Sequence, residues 1–166
     1  LSGGLPKLIL LAEFAGESDE EALGKATEAA KAVATFKFSR RVMKSEAEAR
    51  KYWVMRRESF NLLRHHLKNK RTAPFIDDLI VHPDDLPAFL PELNKILAEY
   101  PSLVYTVAGH AGDANFHIIP LMNLENETAR EIIPPLMERV NALVLRYHGS
   151  ITAEHNDGMI RTPYLK

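Results

Sequence analysis

The 166-residue sequence contains no cysteine, which excludes disulfides, thiolate-bound metals and iron–sulfur clusters from this stretch of chain. It has no apolar run near the roughly 20 residues needed to cross a bilayer, and no phosphate-binding glycine loop or dinucleotide fingerprint. The formal net charge of −1 gives no overall attraction to nucleic acid. We therefore expect no nucleic-acid partner and no transmembrane segment. A cytoplasmic location is expected, with peripheral contact to a membrane left open for the full protein.

Segments typical of strands and helices alternate along the chain and predict an α+β domain. With 46% hydrophobic and 26% charged residues, the chain can form one domain with a hydrophobic core. Helices are predicted at 18–33, 45–67, 84–100 and 134–147, the last followed by Gly149 as its C′ residue. Strands are predicted at 8–14, 34–42, 79–81, 103–109, 115–121 and 150–154. The order β-α-β-α-β-α-β-β-α-β predicts an antiparallel, ferredoxin-like sheet covered by helices.

The most informative segment runs from His110 to His117, two histidines separated by mostly small residues. Strand-like residues precede and follow it, which is typical of a β-hairpin. If residues 111–114 form a four-residue loop, His110 pairs with Asn115, and His117 lies diagonally across on the same face. A slip of one residue would send the two imidazoles to opposite faces, so the prediction depends on register.

A second polar cluster begins later in the chain with Glu154 and His155. We interpret His110, His117 and Glu154 as ligands of an open site for Zn²⁺ or a similar divalent ion. The alternative is that the two histidines only form hydrogen bonds within a turn. His155 directly follows Glu154, so both side chains can serve one site only if the backbone bends there. Asn115 is predicted to donate a hydrogen bond to a substrate.

Arg56 is unusual because it falls within the apolar stripe of the long predicted helix. The stripe has helical spacing and comprises Ala49, Tyr52, Trp53, Phe60, Leu63 and Leu67. A guanidinium aimed at the core needs a partner. It could extend to solvent or pair with an internal carboxylate. It could instead bind the carboxylate of a ligand through two parallel hydrogen bonds, which a lysine could not form.

Two adjacent acids, Asp77 and Asp78, precede the predicted strand at 79–81. They could be mistaken for a catalytic pair of carboxylates. Their place at the entrance of a strand instead predicts that both are solvated.

Three segments together resemble one family. They are 109–117, 149–155 and 53–56, with the sequences GHAGDANFH, GSITAEH and WVMR. Over nearly its whole length the chain is similar to the C-terminal domain of FAD-linked oxidases. This is the branch of the vanillyl-alcohol-oxidase-like flavoproteins that contains D-lactate, glycolate and D-2-hydroxyglutarate dehydrogenases.

The resemblance implies an α+β domain that lies over a flavin held by a separate N-terminal domain. It also implies roles for residues at matching positions. The metal ligands correspond to His110, His117 and Glu154, and the general base corresponds to His155. The residue that binds the substrate carboxylate corresponds to Arg56. The asparagine of the hairpin motif corresponds to Asn115.

The chain departs from the family pattern at three positions. Ala114 and Asn156 stand where the family often has glycine, and Asn156 could reshape the turn that presents His155. Ile76 stands where the D-2-hydroxyglutarate branch has a lysine that assists the distal carboxylate. A lactate-like or glycolate-like substrate is therefore favoured.

We predict that the full protein oxidises a small D-2-hydroxy acid to the 2-oxo acid with FAD. The flavin would then pass its electrons to an acceptor that the sequence does not identify. The chain is expected to be one domain, 1–166, of a longer protein whose FAD-binding domain it lacks, and to be inactive alone. Two alternatives stay open. One is a metal-dependent hydrolase on the same three ligands, and the other is a non-catalytic module that binds carboxylates through Arg56.

Overall fold

The computed structural model describes residues 8–66 and 69–165, and only the backbone of residues 60–66. The chain divides into two compact units, residues 1–63 and residues 64–166. Helices and one antiparallel sheet are present, which confirms the α+β class. Among the described residues, no helix is both long enough and apolar enough to cross a membrane.

Within its described residues, the first unit contains α1 at Asp19–Ala32 and most of α2 at Glu46–His66. Both begin at predicted capping serines. The Oγ atoms of Ser18 and Ser45 accept a hydrogen bond from the backbone N–H three residues further on, at 3.2 and 3.3 Å. The two predicted helices are therefore confirmed, although Leu67, the predicted end of the second, lies outside the described residues.

The strands predicted at 8–14 and 34–42 are not formed. The described residues of both segments lie in coil and turns, and Leu8, Ile9 and Leu10 are exposed. A strand needs a neighbour that satisfies its backbone hydrogen bonds, and no described residue pairs with either segment as a strand. A short apolar run does not reveal whether such a neighbour exists, and this part of the prediction is wrong.

The sheet of the second unit is built around β4. The strands are β1 at Arg71–Thr72, β2 at Ile76–Ile80, β3 at Val104–His110 and β4 at Asn115–Met122. The other three strands all pair with β4 and run antiparallel to it. β3 lies along one edge of β4, while β1 and β2 follow each other along the opposite edge. The pairing of β2 shifts register between Ile76 and Leu79, where the strand bulges.

Helices and sheet enclose one core in this unit. The main helices are α3 at Leu86–Ala98 and α5 at Ile133–Arg146, which pack against each other, and α5 also contacts β2. Apolar side chains from these elements are buried together with Phe75, which precedes β2; among them are Phe89, Leu136, Val140 and Val144. Two short helices, α4 at Glu127–Glu131 and α6 at Gly158–Arg161, complete the described structure beyond the predicted elements.

The end of α5 differs from the prediction. His148, not Gly149, adopts the left-handed conformation, with φ of 54°, and its N–H donates to the carbonyl of Leu145 at 3.0 Å. A Cβ on Gly149 would lie 2.2 Å from the carbonyl oxygen of Ile80. The glycine is therefore needed for the close approach to β2 and not for the left-handed turn.

The strand predicted at 150–154 is reduced to a single bridge between Ser150 and Ile80. Residues 151–156 form an irregular loop, which we call the Glu-His loop. The backbone N–H groups of residues 153–155 donate to a buried carboxylate from β2 and not to a neighbouring strand. The predicted order of strands and helices is therefore not confirmed, although the antiparallel sheet is.

Candidate metal and base site

The β3–β4 hairpin presents His110 and His117 in the predicted register. His110 pairs with Asn115, and His117 pairs with Ala108, so the two histidines share one face of the ribbon. A 3-10 turn at Ala111–Asp113 joins the strands. The hairpin and its register are therefore confirmed.

Two hairpin residues adopt backbone angles that usually favour glycine. Gly109 has φ of 145°, and a Cβ there would lie 2.2 Å from the carbonyl oxygen of Asn115. Ala114 has φ of 54° and ψ of 32°, in the left-handed region. This geometry explains why glycine suits the position of Ala114 in the family pattern.

The side chains of His110, His117 and Glu154 converge, and their ligand atoms all lie within 4.8 Å of one another. The Oε1 atom of Glu154 lies 2.7 Å from Nε2 of His117 and 3.5 Å from Nε2 of His110. Ligands held about 2.1 Å from a tetrahedral ion stand roughly 3.4 Å apart, so small shifts would let these atoms share one ion. Two imidazole nitrogens and a carboxylate oxygen suit Zn²⁺ or a similar divalent ion and leave a coordination position open.

Asp77 orients the ring of His117. Its Oδ1 lies 3.0 Å from Nδ1 of His117, and both side chains are largely buried. A carboxylate only accepts hydrogen bonds, so Nδ1 carries a proton and Nε2 faces Glu154. That Nε2 and the Glu154 oxygen repel each other unless a proton or a cation lies between them. A carboxylate behind the imidazole is the common arrangement for metal-binding histidines. The expectation that Asp77 is solvated is therefore wrong.

Asp78, also expected in solvent, is fully buried and has φ of 63°. Its carboxylate accepts hydrogen bonds from the backbone N–H groups of Ala153 and His155, each at 2.8 Å, and of Glu154 at 3.1 Å. The side-chain amide of Asn115 donates another at 3.1 Å. Burial alone would raise the pKa of Asp78, but these donors outweigh burial and hold its pKa below the ordinary value.

Asn115 contacts the protein where a substrate was expected. It is 3% exposed, and its amide nitrogen donates to Asp78 at 3.1 Å and to the carbonyl of Leu79 at 3.4 Å. Both amide hydrogens are thereby used, so the amide has no donor left for a substrate. Its buried Oδ1 has no hydrogen-bond partner among the residues that the structure describes. In this geometry the amide of Asn115 supports Asp78, and a role of Asn115 toward a substrate stays a prediction.

Arg161 is a second buried charge, and the sequence pattern gave no signal for it. The residue is 6% exposed, and its guanidinium donates to the carbonyl of Asp77 at 2.6 Å and to that of Asn156 at 2.7 Å. For Asp78 a signal was present, because two acids interrupt the apolar run at 75–81. A buried strand offers acids no solvent, so they require partners inside the protein.

His155 lies beside the three convergent side chains and is exposed. Its ring centroid is 4.9 Å from that of His117, and its Nε2 is 3.9 Å from Oε1 of Glu154. The backbone therefore bends as the hypothesis required, because two consecutive side chains reach the same place. An exposed imidazole can exchange protons with solvent and with a bound hydroxyl group. Its role as the base stays a prediction.

Arg56 belongs to the first unit, on α2. Its neighbours in the predicted apolar stripe, Tyr52 and Trp53, are half-buried, but Arg56 is exposed. Its guanidinium lies 5.9 Å from the centroid of the Trp53 ring. Of the alternatives left open for Arg56, extension toward solvent therefore agrees with the structure, while its binding of a substrate carboxylate stays a prediction. The side chains of Phe60 and Leu63, also in that stripe, lie outside the described residues.

Comparison with known proteins relates the chain to flavoprotein oxidases. A family model described as FAD linked oxidases, C-terminal domain, matches residues 6–166. D-2-hydroxyglutarate dehydrogenase of Pseudomonas putida is 30% identical over 121 residues, which cover 73% of this chain and 12% of that protein. The protein of the same name from Xanthomonas citri pv. viticola is 30% identical over 129 residues, 75% of this chain and 26% of the relative.

A relative with a different name is the glycolate oxidase subunit GlcD of Bacillus subtilis. It is 26% identical over 100 residues, which cover 60% of this chain and 21% of the relative. The matched part of the chain thus spans at most 26% of the length of these three relatives. The comparisons therefore relate the chain to one part of much longer proteins.

Proposed function

Because the chain belongs to the family of FAD-linked oxidase C-terminal domains, we propose that it forms the substrate- and metal-binding domain of an oxidoreductase. The full protein would oxidise a small D-2-hydroxy acid to its 2-oxo acid. The observation that carries this proposal is the convergence of His110, His117 and Glu154 next to His155. A domain with these groups can hold a hydroxy acid and remove the proton of its hydroxyl group.

The metal would be held by His110, His117 and Glu154, and Zn²⁺ suits this donor set. When bound, such an ion lowers the pKa of a hydroxyl group beside it. Asp77 contributes by keeping the proton of His117 on Nδ1, so that Nε2 stays available as a ligand. This arrangement orders one of the ligands before any ion is bound.

The proton of the substrate hydroxyl would pass to His155. An imidazole can accept a proton near neutral pH, and its exposure lets the proton leave to solvent. Arg56 would hold the substrate carboxylate, because a guanidinium offers two parallel N–H donors. Removal of the hydroxyl proton makes the neighbouring C–H bond a better hydride donor.

FAD would take up the electrons and be bound mainly by a separate domain. Family membership supports FAD, and it favours an oxidoreductase over the two alternatives, a hydrolase and a carboxylate-binding module. The acceptor that reoxidises the flavin is unidentified. The cytoplasmic location stays a prediction.

Ile76 bears on the choice of substrate. It is fully buried and apolar, so it offers no charge to a second carboxylate. The names of the relatives include both D-2-hydroxyglutarate dehydrogenase and glycolate oxidase. We favour a lactate-like or glycolate-like substrate, because the lysine expected for a distal carboxylate is replaced here.

The test uses the full-length protein with FAD. Purified protein is loaded with Zn²⁺ or treated with chelator, then mixed without oxygen with D-lactate, glycolate or D-2-hydroxyglutarate. We expect flavin bleaching and a 2-oxo acid product with one of the two smaller acids, only when metal is present. His110→Ala should slow bleaching on the order of 100-fold, whereas His82→Ala, an exposed histidine followed by a 3-10 turn, serves as control.

Different results contradict different parts of the proposal. No bleaching by any of the three acids in metal-loaded protein would contradict the oxidase. A clear preference for D-2-hydroxyglutarate would contradict only the substrate class. Full activity after metal removal would contradict the role of the three ligands.

A further inference from the structure

The Glu-His loop holds two residues of the proposed site without the support of a helix or a strand. Residues 151–156 have no regular structure, and the side chains of Glu154 and His155 are 41% and 57% exposed. A metal ligand must be placed to within a fraction of an ångström to bind tightly. The loop therefore needs other groups that hold its backbone.

A buried anion holds the middle of the loop. The Asp78 carboxylate accepts three consecutive backbone N–H groups, from Ala153, Glu154 and His155. Asp78 can reach them because β2 bulges and the residue adopts φ of 63°. The ligand Glu154 is thus tied through its own backbone to the strand that pairs with the hairpin.

A buried cation holds the two ends of the loop. Arg161 donates from Nη1 to the carbonyl of Ile151 at 3.3 Å and from Nη2 to that of Asn156 at 2.7 Å. Nη1 also donates to the carbonyl of Asp77 at 2.6 Å. The same guanidinium therefore links the loop to the residue that orients His117.

Each of these charges is balanced by the backbone of the loop. No salt bridge joins Asp78 or Arg161 to a charged side chain within the described part of the chain. The anion faces N–H groups, and the cation faces carbonyl oxygens. A buried charge is very unfavourable without such partners, so each residue favours the one loop conformation that supplies them.

We propose that Asp78 and Arg161 are positioning residues that together hold the Glu-His loop, set the place of Glu154 relative to His110 and His117, and so determine how tightly the site binds a divalent ion. This inference rests on the proposed function, because it assigns a purpose to the loop geometry within that site. Neither residue is one of the three proposed ligands, and both are buried. Both act through the backbone of the loop.

We call the contacts of Asp78 and Arg161 with the Glu-His loop the clamp. Hydrogen exchange tests the clamp without any mutation. In full-length wild-type protein treated with chelator, the amides of Ala153, Glu154 and His155 should exchange on the order of 100-fold more slowly than that of exposed Ser102. Metal is absent from this measurement, so protection reports the clamp itself. Exchange of the three amides as fast as that of Ser102 would overturn the proposal.

Variants test the effect on metal binding. Asp78→Asn removes the charge and Arg161→Gln removes the cation, and each should weaken Zn²⁺ binding by about 10- to 100-fold. Arg161→Lys should bind Zn²⁺ more tightly than Arg161→Gln but less tightly than wild type, because lysine keeps the positive charge and lacks the planar guanidinium group. We expect kcat of the full-length enzyme to fall more than KM rises, since the proposed function assigns the substrate carboxylate to Arg56 and not to the loop.

Matched exposed residues provide the controls. Asp84→Asn and Arg139→Gln change the same residue types, at an exposed carboxylate and at an exposed ion pair with Glu99. Both controls should bind Zn²⁺ within about twofold of wild type. If Asp78→Asn does not fold, the Zn²⁺ affinity of Arg161→Lys and the hydrogen-exchange result still test whether the clamp exists. Wild-type Zn²⁺ affinity in the folded variants would overturn the clamp alone, whereas a wild-type protein that binds no Zn²⁺ would overturn the proposed function.

Discussion

The β3–β4 hairpin and the Glu-His loop bring ligands to one place by different physical means. The hairpin positions His110 and His117 through a regular ladder of backbone hydrogen bonds. The loop positions Glu154 through two buried charged side chains, Asp78 from distant β2 and Arg161 from just beyond the loop. A ladder spreads its support over many bonds, whereas the loop relies on a few side chains, of which Asp78 and Arg161 are the buried charged ones. Substitutions in the hairpin and in the loop should therefore affect stability and metal binding in different ways.

The largest effect is expected from Gly109→Ala, which places a Cβ 2.2 Å from the carbonyl oxygen of Asn115. The strands cannot keep their register without moving apart, so the free energy of unfolding should fall by about 3 kcal/mol or more. Urea unfolding measures it. Gly112→Ala, where nothing lies within 4 Å of the added Cβ, should change stability by less than about 0.5 kcal/mol. Equal effects of the two substitutions would contradict a hairpin set by backbone contact.

The loop should be the half that is sensitive to acid. The pKa of Asp78 is lowered, so the stability it contributes is fully present above its unfolded pKa of about 3.9. That contribution is lost as the pH falls through the lower pKa of the folded state. Asp78→Asn should cost about 2 kcal/mol at neutral pH, and the difference from wild type should shrink only below about pH 4. Urea unfolding between pH 3 and pH 7 measures this, and a difference that shrinks already near neutral pH would contradict it.

Asp77→Asn separates the orientation of His117 from the placement of Glu154. An amide at this position no longer attracts the Nδ1 proton as a carboxylate does, so the ring is held less firmly. Zn²⁺ affinity should fall by about tenfold while the unfolding free energy changes little. Competition with a chromophoric chelator measures the affinity, and Asp84→Asn is the control. Unchanged affinity would mean that the ladder alone orients the ligand.

The smallest effect is expected from Ala114→Gly. Glycine adopts the left-handed conformation at φ of 54° without steric strain. This relief should stabilise the folded protein by about 1 kcal/mol. The substitution also removes a buried methyl group and adds freedom to the unfolded chain, which together cost about the same. Stability by urea unfolding should stay within roughly 0.5 kcal/mol of wild type. A gain well above 1 kcal/mol would show that backbone strain dominates at this position.

Local sequence patterns predicted the hairpin and the capped helices well. The pairing of His110 with Asn115 follows from a four-residue loop between two strand-like runs, and Ser18 and Ser45 cap the helices that they were expected to cap. Such features depend on residues close together in the chain. The predictions of a strand at 150–154 and of solvated Asp77 and Asp78 were wrong, because the groups that these residues contact are distant in sequence. Asp78 contacts the loop residues across more than seventy positions.

By itself, the sequence determined the α+β class, the two histidines on one ribbon face, and the identity of the three side chains that meet. The class and the placement of the histidines follow from side-chain alternation and turn length, which are local properties, whereas Glu154 was named from its ligand chemistry and the family resemblance. Only the tertiary structure decided that Asp77 and Asp78 point inward, that Asn115 serves the protein, and that Arg161 holds the loop. Burial makes an unpaired charge unfavourable, and which backbone groups satisfy it depends on how distant segments pack together.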